Sequence, residues 1–352
     1  MKNNKLGVFI RLFVLLFAII GVSGYFAFRD FQNLEFLAAY FYKQNAKSSI
    51  YDYMDATAKL KMLHAKSSMK YYKDNYSELV DFLEVGDMDS IKKVFNEKEN
   101  FDYYKEFLKD APELSDIKDK VIKERNSIIN EDTKYSFYRE FIKNTSAYAL
   151  YCASTDNTEE FIDVIDKMSG VTVAFAWGYT GKPLMIESMI GLAMKSYIQD
   201  TIGIVFQSEI NNYKNMIDKV SINMSESDKK RIAEILKNLE KAMPTSKDAM
   251  LGEKNANEKF MEFASERVPF GLFIIDIIFN PFTSTEKVIS NYYNECIATI
   301  ENSEDYEKVR IKYTNKWNPL VKMLVVHLSK ANEQVQKSKE QNVKLIKSIK
   351  EQ

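Results

Sequence analysis

From Asp30 to the C-terminus, apolar residues recur at i, i+3, i+4 and i+7 in nearly every segment, and no run sustains the strict alternation of a half-buried strand. That period predicts an all-α chain. The supply of turn residues agrees with it. Strand connections draw on Gly, Pro and Asn-Gly pairs, whereas this chain has 11 Gly and 6 Pro, 17 of 352 residues or about 5%, against roughly 12% in average usage.

Residues 6–28 form an apolar run broken only by Arg11 near its start, which matches the roughly 20 residues a helix needs to cross a bilayer. Few core helices lack a polar face over this length. Lys2 and Lys5 precede the run, while Arg29, Asp30 and Glu35 follow it. The positive-inside bias therefore predicts a short cytosolic N-terminus over 1–5, a transmembrane signal anchor over 6–28 and an extracytoplasmic remainder. Val22-Ser23-Gly24 offers an alternative, cleavage before Tyr25, but the apolar run continues through Phe28 past that point.

Charge and ligand counts narrow the function. With 49 Lys and Arg against 50 Asp and Glu the net charge is -1, which removes the basic footprint of a nucleic-acid binder. Two His and two Cys leave no metal or haem ligand pattern, so neither metal nor cofactor is expected. Cys152 and Cys296 both stand in apolar helical context, as small core thiols do, although an oxidising compartment would permit pairing. His64 and His327 sit between apolar neighbours and read as ordinary packed or surface histidines. No phosphate loop, dinucleotide turn, nucleophile elbow or zinc-protease pair occurs. Carboxylate catalysis needs only one or two acids in a cleft, and Glu187, among apolar neighbours where burial would raise its pKa, is the candidate for it.

Two helix-to-helix turns are legible. Ser77 to Val85 reads as a short helix opened by a Ser cap, Gly86-Asp87-Met88-Asp89 closes it, and the next helix starts near Ser90. Ala147 to Ala153 likewise gives way to Ser154-Thr155-Asp156-Asn157, after which Thr158-Glu159-Glu160 opens a helix through Phe161 to Met168. The turns stand 70 residues apart, Asp87 to Asn157, near two tetratricopeptide periods of about 34. Packed helical hairpins, partly repeat-like, are therefore expected over 29–243, as an α-solenoid or an irregular bundle.

Residues 145–206, with the Ala-rich helix, the Asp156-Asn157 turn, the Phe161 helix and Lys182-Pro183-Leu184-Met185-Ile186-Glu187 through Leu192-Ala193, resemble a group of uncharacterised bacterial membrane-anchored proteins with tetratricopeptide-like helical hairpins. The resemblance implies an architecture, one N-terminal membrane segment and helical hairpins in the bacterial envelope, without an assigned activity. The members' closing Gly-Tyr-Pro segment is replaced here by a lysine-rich helix after Pro319.

Within that motif Pro183 suits the first turn of a helix, Gly191 and Ala193 form a small-residue face, and Met185, Met189 and Met194 read as core or, alternatively, as a Met-rich groove. Ser225 to Asp228 opens a helix through Lys241, and 244–257 is the expected loop or boundary. In the C-terminal region 258–352, the proline-bounded run 268–282 reads as a buried helix or an apolar contact surface, with Phe273 at its centre and Asp276 exposed or paired with Arg267. Trp317 to Gln352 reads as an amphipathic helix with Val335, Val343, Ile346 and Ile349 on its apolar face. From Lys330 it carries six Lys against three Glu, so contact with an acidic lipid surface or a partner helix is the alternative to a solvated end. The expected function is a membrane-anchored, extracytoplasmic, non-enzymatic scaffold binding a protein or peptide, with Glu187, Asp276, Phe273 and Met189 as the ligand or partner surface. A carrier of an apolar ligand using 184–194 and 268–282 is the alternative, and a helical hydrolase the second.

Overall fold

The computed structural model describes residues 59–60, 62–63, 70–117, 135–177, 183–208, 212–216, 219–267, 276, 284–300, 302–314 and 329–351. Among these every regular element is helical, and the helices pack on one another. No described helix is long and apolar enough to cross a membrane. The expected anchor at 6–28, Phe273, His64 and His327 lie outside the described residues.

The contacts divide the chain into a larger unit within 48–253 and 328–352 and a smaller one within 254–327. In the larger unit the helices are α1 Lys70–Val85, α2 Met88–Asn96, α3 Lys98–Leu108, α4 Tyr135–Ser154, α5 Thr158–Ala176, α6 Met185–Val205 and α7 Glu226–Ala242. α8 Ser246–Arg267 passes from one unit into the other. The smaller unit holds α9 Thr285–Thr299 and α10 Ser303–Thr314, and α11 Ser329–Glu351 belongs again to the larger unit.

Local chemistry sets the turns. Gly86 adopts φ +73° and the amide of Asp87 donates to Phe82 O at 2.8 Å, the closing bond of a left-handed helix terminus. Asp87 then caps α2, its Oδ1 accepting from the Ser90 amide at 3.0 Å. Asp156 and Asn157 repeat this pair: φ is +56° at Asp156, the Asn157 amide donates to Cys152 O at 2.9 Å, and Asn157 Oδ1 accepts from the Glu160 amide. α7 opens on a reciprocal box between Ser225 and Asp228, and α8 on the same box between Thr245 and Asp248.

Several expectations need correction. The helix before Gly86 begins at Lys70 rather than at a Ser77 cap, and its successor begins at Met88, directly after its Asp87 cap. Of the loop or boundary expected at 244–257, the division between the two units does fall there, after Glu253, but the segment is not a loop, because the Thr245–Asp248 box starts α8 at Ser246. Nor is 258–352 a single region, since Leu345 and Ile349 of α11 lie in the core of the larger unit.

At the centre of the larger unit α4, α5 and α6 pack on one another; α1 and α2 add to α4, α7 to α5, and α11 to both α6 and α7. An aromatic cluster joins α2, α3 and α4: Phe95 meets Tyr104 edge-on at 5.5 Å and Tyr148 at 5.1 Å, and the Tyr104 hydroxyl donates to Thr145 Oγ1 at 2.7 Å. Glycine sets the closest approaches. A Cβ on Gly191 of α6 would stand 2.4 Å from the Ala176 Cβ of α5, so the small-residue contact is real at Gly191, whereas Ala193 is exposed. Pro183 lies before α6 and not in its first turn, for Leu184 is the cap residue.

In the smaller unit Tyr292, Tyr293 and Cys296 of α9 are buried, and Tyr313 of α10 meets Tyr292 edge-on at 5.3 Å. Cys152 and Cys296 are both buried free thiols, and burial pushes each up to about 12, the state of inert core cysteines.

Candidate docking cleft

The short 3₁₀ turn Leu114–Asp116, α5 and α7 surround an open cleft of about 650 Å3. What brings the turn there is Gly170. A Cβ at this position of α5 would lie 2.2 Å from Pro112 O and 2.5 Å from the Glu113 carbonyl carbon, so only glycine admits the 112–113 backbone this close. The amide of Glu113 donates to Asp116 Oδ2 at 2.9 Å, which fixes the turn. On the far side α7 is held against α5 by the Trp177 indole, whose Nε1 donates to Ala242 O at 2.6 Å, and by Arg231, whose Nη1 reaches both oxygens of Glu159 at 2.8 and 3.0 Å.

The lining has two characters. Leu114, Ile117, Ile162 and Ile235 supply apolar surface, while Glu113, Glu159, Asp163, Asp166 and Glu234 face Arg231 and Lys241, five carboxylates to two cations. Arg231 is committed to Glu159, with Asp228 3.7 Å away, and Asp163 is paired with Lys167 at 2.8 Å. Glu113, Asp166 and Glu234 have no cationic partner among the described residues. The Asp166 carboxyl records the surplus: burial first, then the charges of Glu113, Asp163 and Asp116, push it up to about 6, against the pull of the Leu114 amide. These residues were not singled out from the sequence, although Glu159, Asp163 and Asp166 follow a 4–3 spacing that puts three acids on one stripe of α5.

A second groove, of about 710 Å3, runs between α6 and α11. Its α6 wall is Met189, Leu192, Ala193 and Tyr197, and its α11 wall is Gln334, Lys337, Ser338 and Gln341. Of the sequence-selected residues Met189 lines this groove. Glu187 does not line either cleft. It is buried, 6% exposed, and its Oε2 accepts from the Leu184 amide at 2.9 Å, one turn back at the start of its own helix. Glu253 Oε1 accepts from the next amide, Met185, at 2.8 Å.

Asp276, expected exposed or paired with Arg267, instead accepts from the Thr285 amide at 2.7 Å and the Thr285 hydroxyl at 2.5 Å. It thereby satisfies an open amide in the first turn of α9, beside the Ser284 cap, whose Oγ accepts from the Lys287 amide at 3.2 Å. Both acids chosen from sequence thus serve helix N-termini, where the exposed amides and the axial dipole favour an acceptor. Among the described residues no group of His, Cys, Asp and Glu is arranged to hold a metal ion. No family model, curated protein or solved structure matches the chain.

Proposed function

We propose that the protein is a non-enzymatic scaffold, anchored in the bacterial cytoplasmic membrane through residues 6–28, whose helical hairpins outside the cytosol bind a protein or peptide. The observation that carries this reading is the open, mixed polar and apolar cleft framed by the 3₁₀ turn, α5 and α7. Enclosed, mostly apolar pockets suit small ligands, whereas exposed grooves with an apolar floor and a polar rim suit polypeptide segments. Support for the anchor remains the apolar run and its flanking Lys2 and Lys5.

Apolar-ligand carriage is the second reading. What favours it is the Met189, Leu192 and Tyr197 wall of the α6–α11 groove. Hydrolysis by Glu187 has less support, since its carboxylate is engaged by the Leu184 amide and lines neither cleft.

The test is in-cell crosslinking of the full chain, with protease protection on spheroplasts and the mass of the mature protein. Specific crosslinked partners, external cleavage beyond residue 28 and a mass that retains the N-terminus are the expected results. A protected domain or a mass beginning near Tyr25 overturns the anchored topology, and the absence of any crosslinked protein overturns the scaffold.

A further inference from the structure

The cleft between the 3₁₀ turn, α5 and α7 has a composition that specifies its occupant more narrowly than "protein". Its floor, Leu114, Ile117, Ile162 and Ile235, calls for an apolar side chain. Around that floor stand Glu113, Asp166 and Glu234, which have no ion-pair partner among the described residues: Arg231 is held by Glu159 and Lys167 by Asp163, so that of the described lining cations Lys241 alone is set against these three acids. Asp166 is half-buried, and burial first, then the neighbouring carboxylates, make it hold its proton more tightly than solvent would. A cation placed beside it relieves that repulsion, so charge complementarity and the apolar floor act together on one ligand. The Gly170 contact that brings Glu113 to the rim would be lost with any larger residue, so the turn's backbone is built into the packing.

We propose that this cleft is a docking groove for a basic segment of a partner protein, in which Arg or Lys side chains meet Glu113, Asp166 and Glu234 while an apolar residue between them rests on Ile117 and Ile235. The proposal rests on the partner-binding reading above and names the chemistry of the partner. Arginine fits best, because its planar fork meets a carboxylate with two hydrogen bonds and is more weakly hydrated than an ammonium.

The experiment uses the full chain in nanodiscs of zwitterionic lipid. Fluorescence anisotropy follows a short labelled peptide of alternating arginine and leucine, with empty nanodiscs as the blank. Arginine–serine and glutamate–leucine peptides of equal length are the comparisons. The expected result is saturable binding of the arginine–leucine peptide, weakened about tenfold by E113Q, D166N and E234Q combined and by added salt. The arginine–serine peptide binds more weakly and the glutamate–leucine peptide does not bind. Equal affinity of the triple variant, whose helical circular dichroism confirms its fold, overturns the proposal. So does equal affinity of the arginine–serine peptide, or full displacement by spermine or Ca2+ at the cleft's own affinity, since either means a site that reads charge alone. Crosslinking of the triple variant in cells separates the two readings. Partners retained unchanged place docking elsewhere and leave the scaffold standing, whereas no partner even for the natural chain removes both.

Discussion

At the scale of single residues, Glu187 shows how one side chain can satisfy a helix and still carry an electrostatic cost. Its carboxyl is pushed up to about 8, first by burial and further by the charge of Glu253, while the Leu184 amide pulls the other way. Burial raises Glu253 as well. A carboxyl that holds its proton in the folded state and releases it in the unfolded state makes stability fall as pH rises. The window runs from the ordinary value of 4.5 to about 8, and above it the loss is complete. Glu187→Gln keeps an oxygen for the Leu184 amide and removes the ionisation. Thermal or urea unfolding from pH 5 to 9 is expected to show the variant gaining on the natural chain as pH rises, to about 1–3 kcal/mol at pH 8. A stability difference that is flat with pH would show that Glu187 stays ionised on its amide. The sequence made the burial of this residue legible, through its apolar neighbours. Its cap role was hidden, because Leu184 is not a residue type that announces a helix start.

At the scale of elements, α6 and α11 illustrate where apolar periodicity misleads. The apolar face read from the sequence ran through Val343, Ile346 and Ile349, yet Val343 is 69% exposed, and Ser338, Asn342, Leu345 and Ile349 form the buried stripe. The reason lies on α6, which carries Gln199 and Asp200 on a buried face. Gln199 Nε2 donates to Ser338 O at 3.1 Å and to Asn342 Oδ1 at 3.3 Å, Gln341 Nε2 donates to Asp200 Oδ1 at 3.2 Å, and Asn342 Nδ2 donates to Leu236 O at 3.2 Å. Polar side chains are buried here because each finds a partner, which a hydrophobicity pattern does not encode. Lys195 of α6 is the extreme case, 1% exposed and paired with the half-buried Glu240 of α7. Burial lowers its pKa and Glu240 resists that. Glu240→Ala should therefore cost about 2 kcal/mol in chemical denaturation by leaving an ammonium unpaired, while Lys195→Met, of similar length and apolar, should be near neutral. If Lys195→Met costs as much as Glu240→Ala, the pair is a net source of stability instead.

Across the whole molecule, the all-α class and both cap-and-turn junctions were legible, since a residue with positive φ followed by an Asx cap is a local code written in Gly86-Asp87 and Asp156-Asn157. The cleft was not, because it depends on Gly170 meeting Pro112 and on α7 meeting α5, contacts between segments far apart in sequence. Chain connectivity was equally hidden. Having left the larger unit at Glu253, the chain returns to it with α11, whose Leu345 and Ile349 join the core and whose Asn342 binds the Leu236 carbonyl of α7. The larger unit is thus closed by a helix that returns to it from beyond the smaller one. Ending the full-length chain before Ser329 removes those core side chains and leaves Gln199 and Asp200 of α6 without their α11 partners, two causes of lost stability that act on the same elements. Hydrogen exchange on the truncated protein should show amides of α6 and α7 exchanging about tenfold or more faster, a local loss of at least 1.4 kcal/mol. α9 and α10, whose Tyr292 and Tyr313 pack on each other within the smaller unit, should keep their protection. Uniform acceleration in both units would mean that they unfold as one cooperative body, and no change in α6 and α7 would mean that α11 lies on the larger unit without holding it.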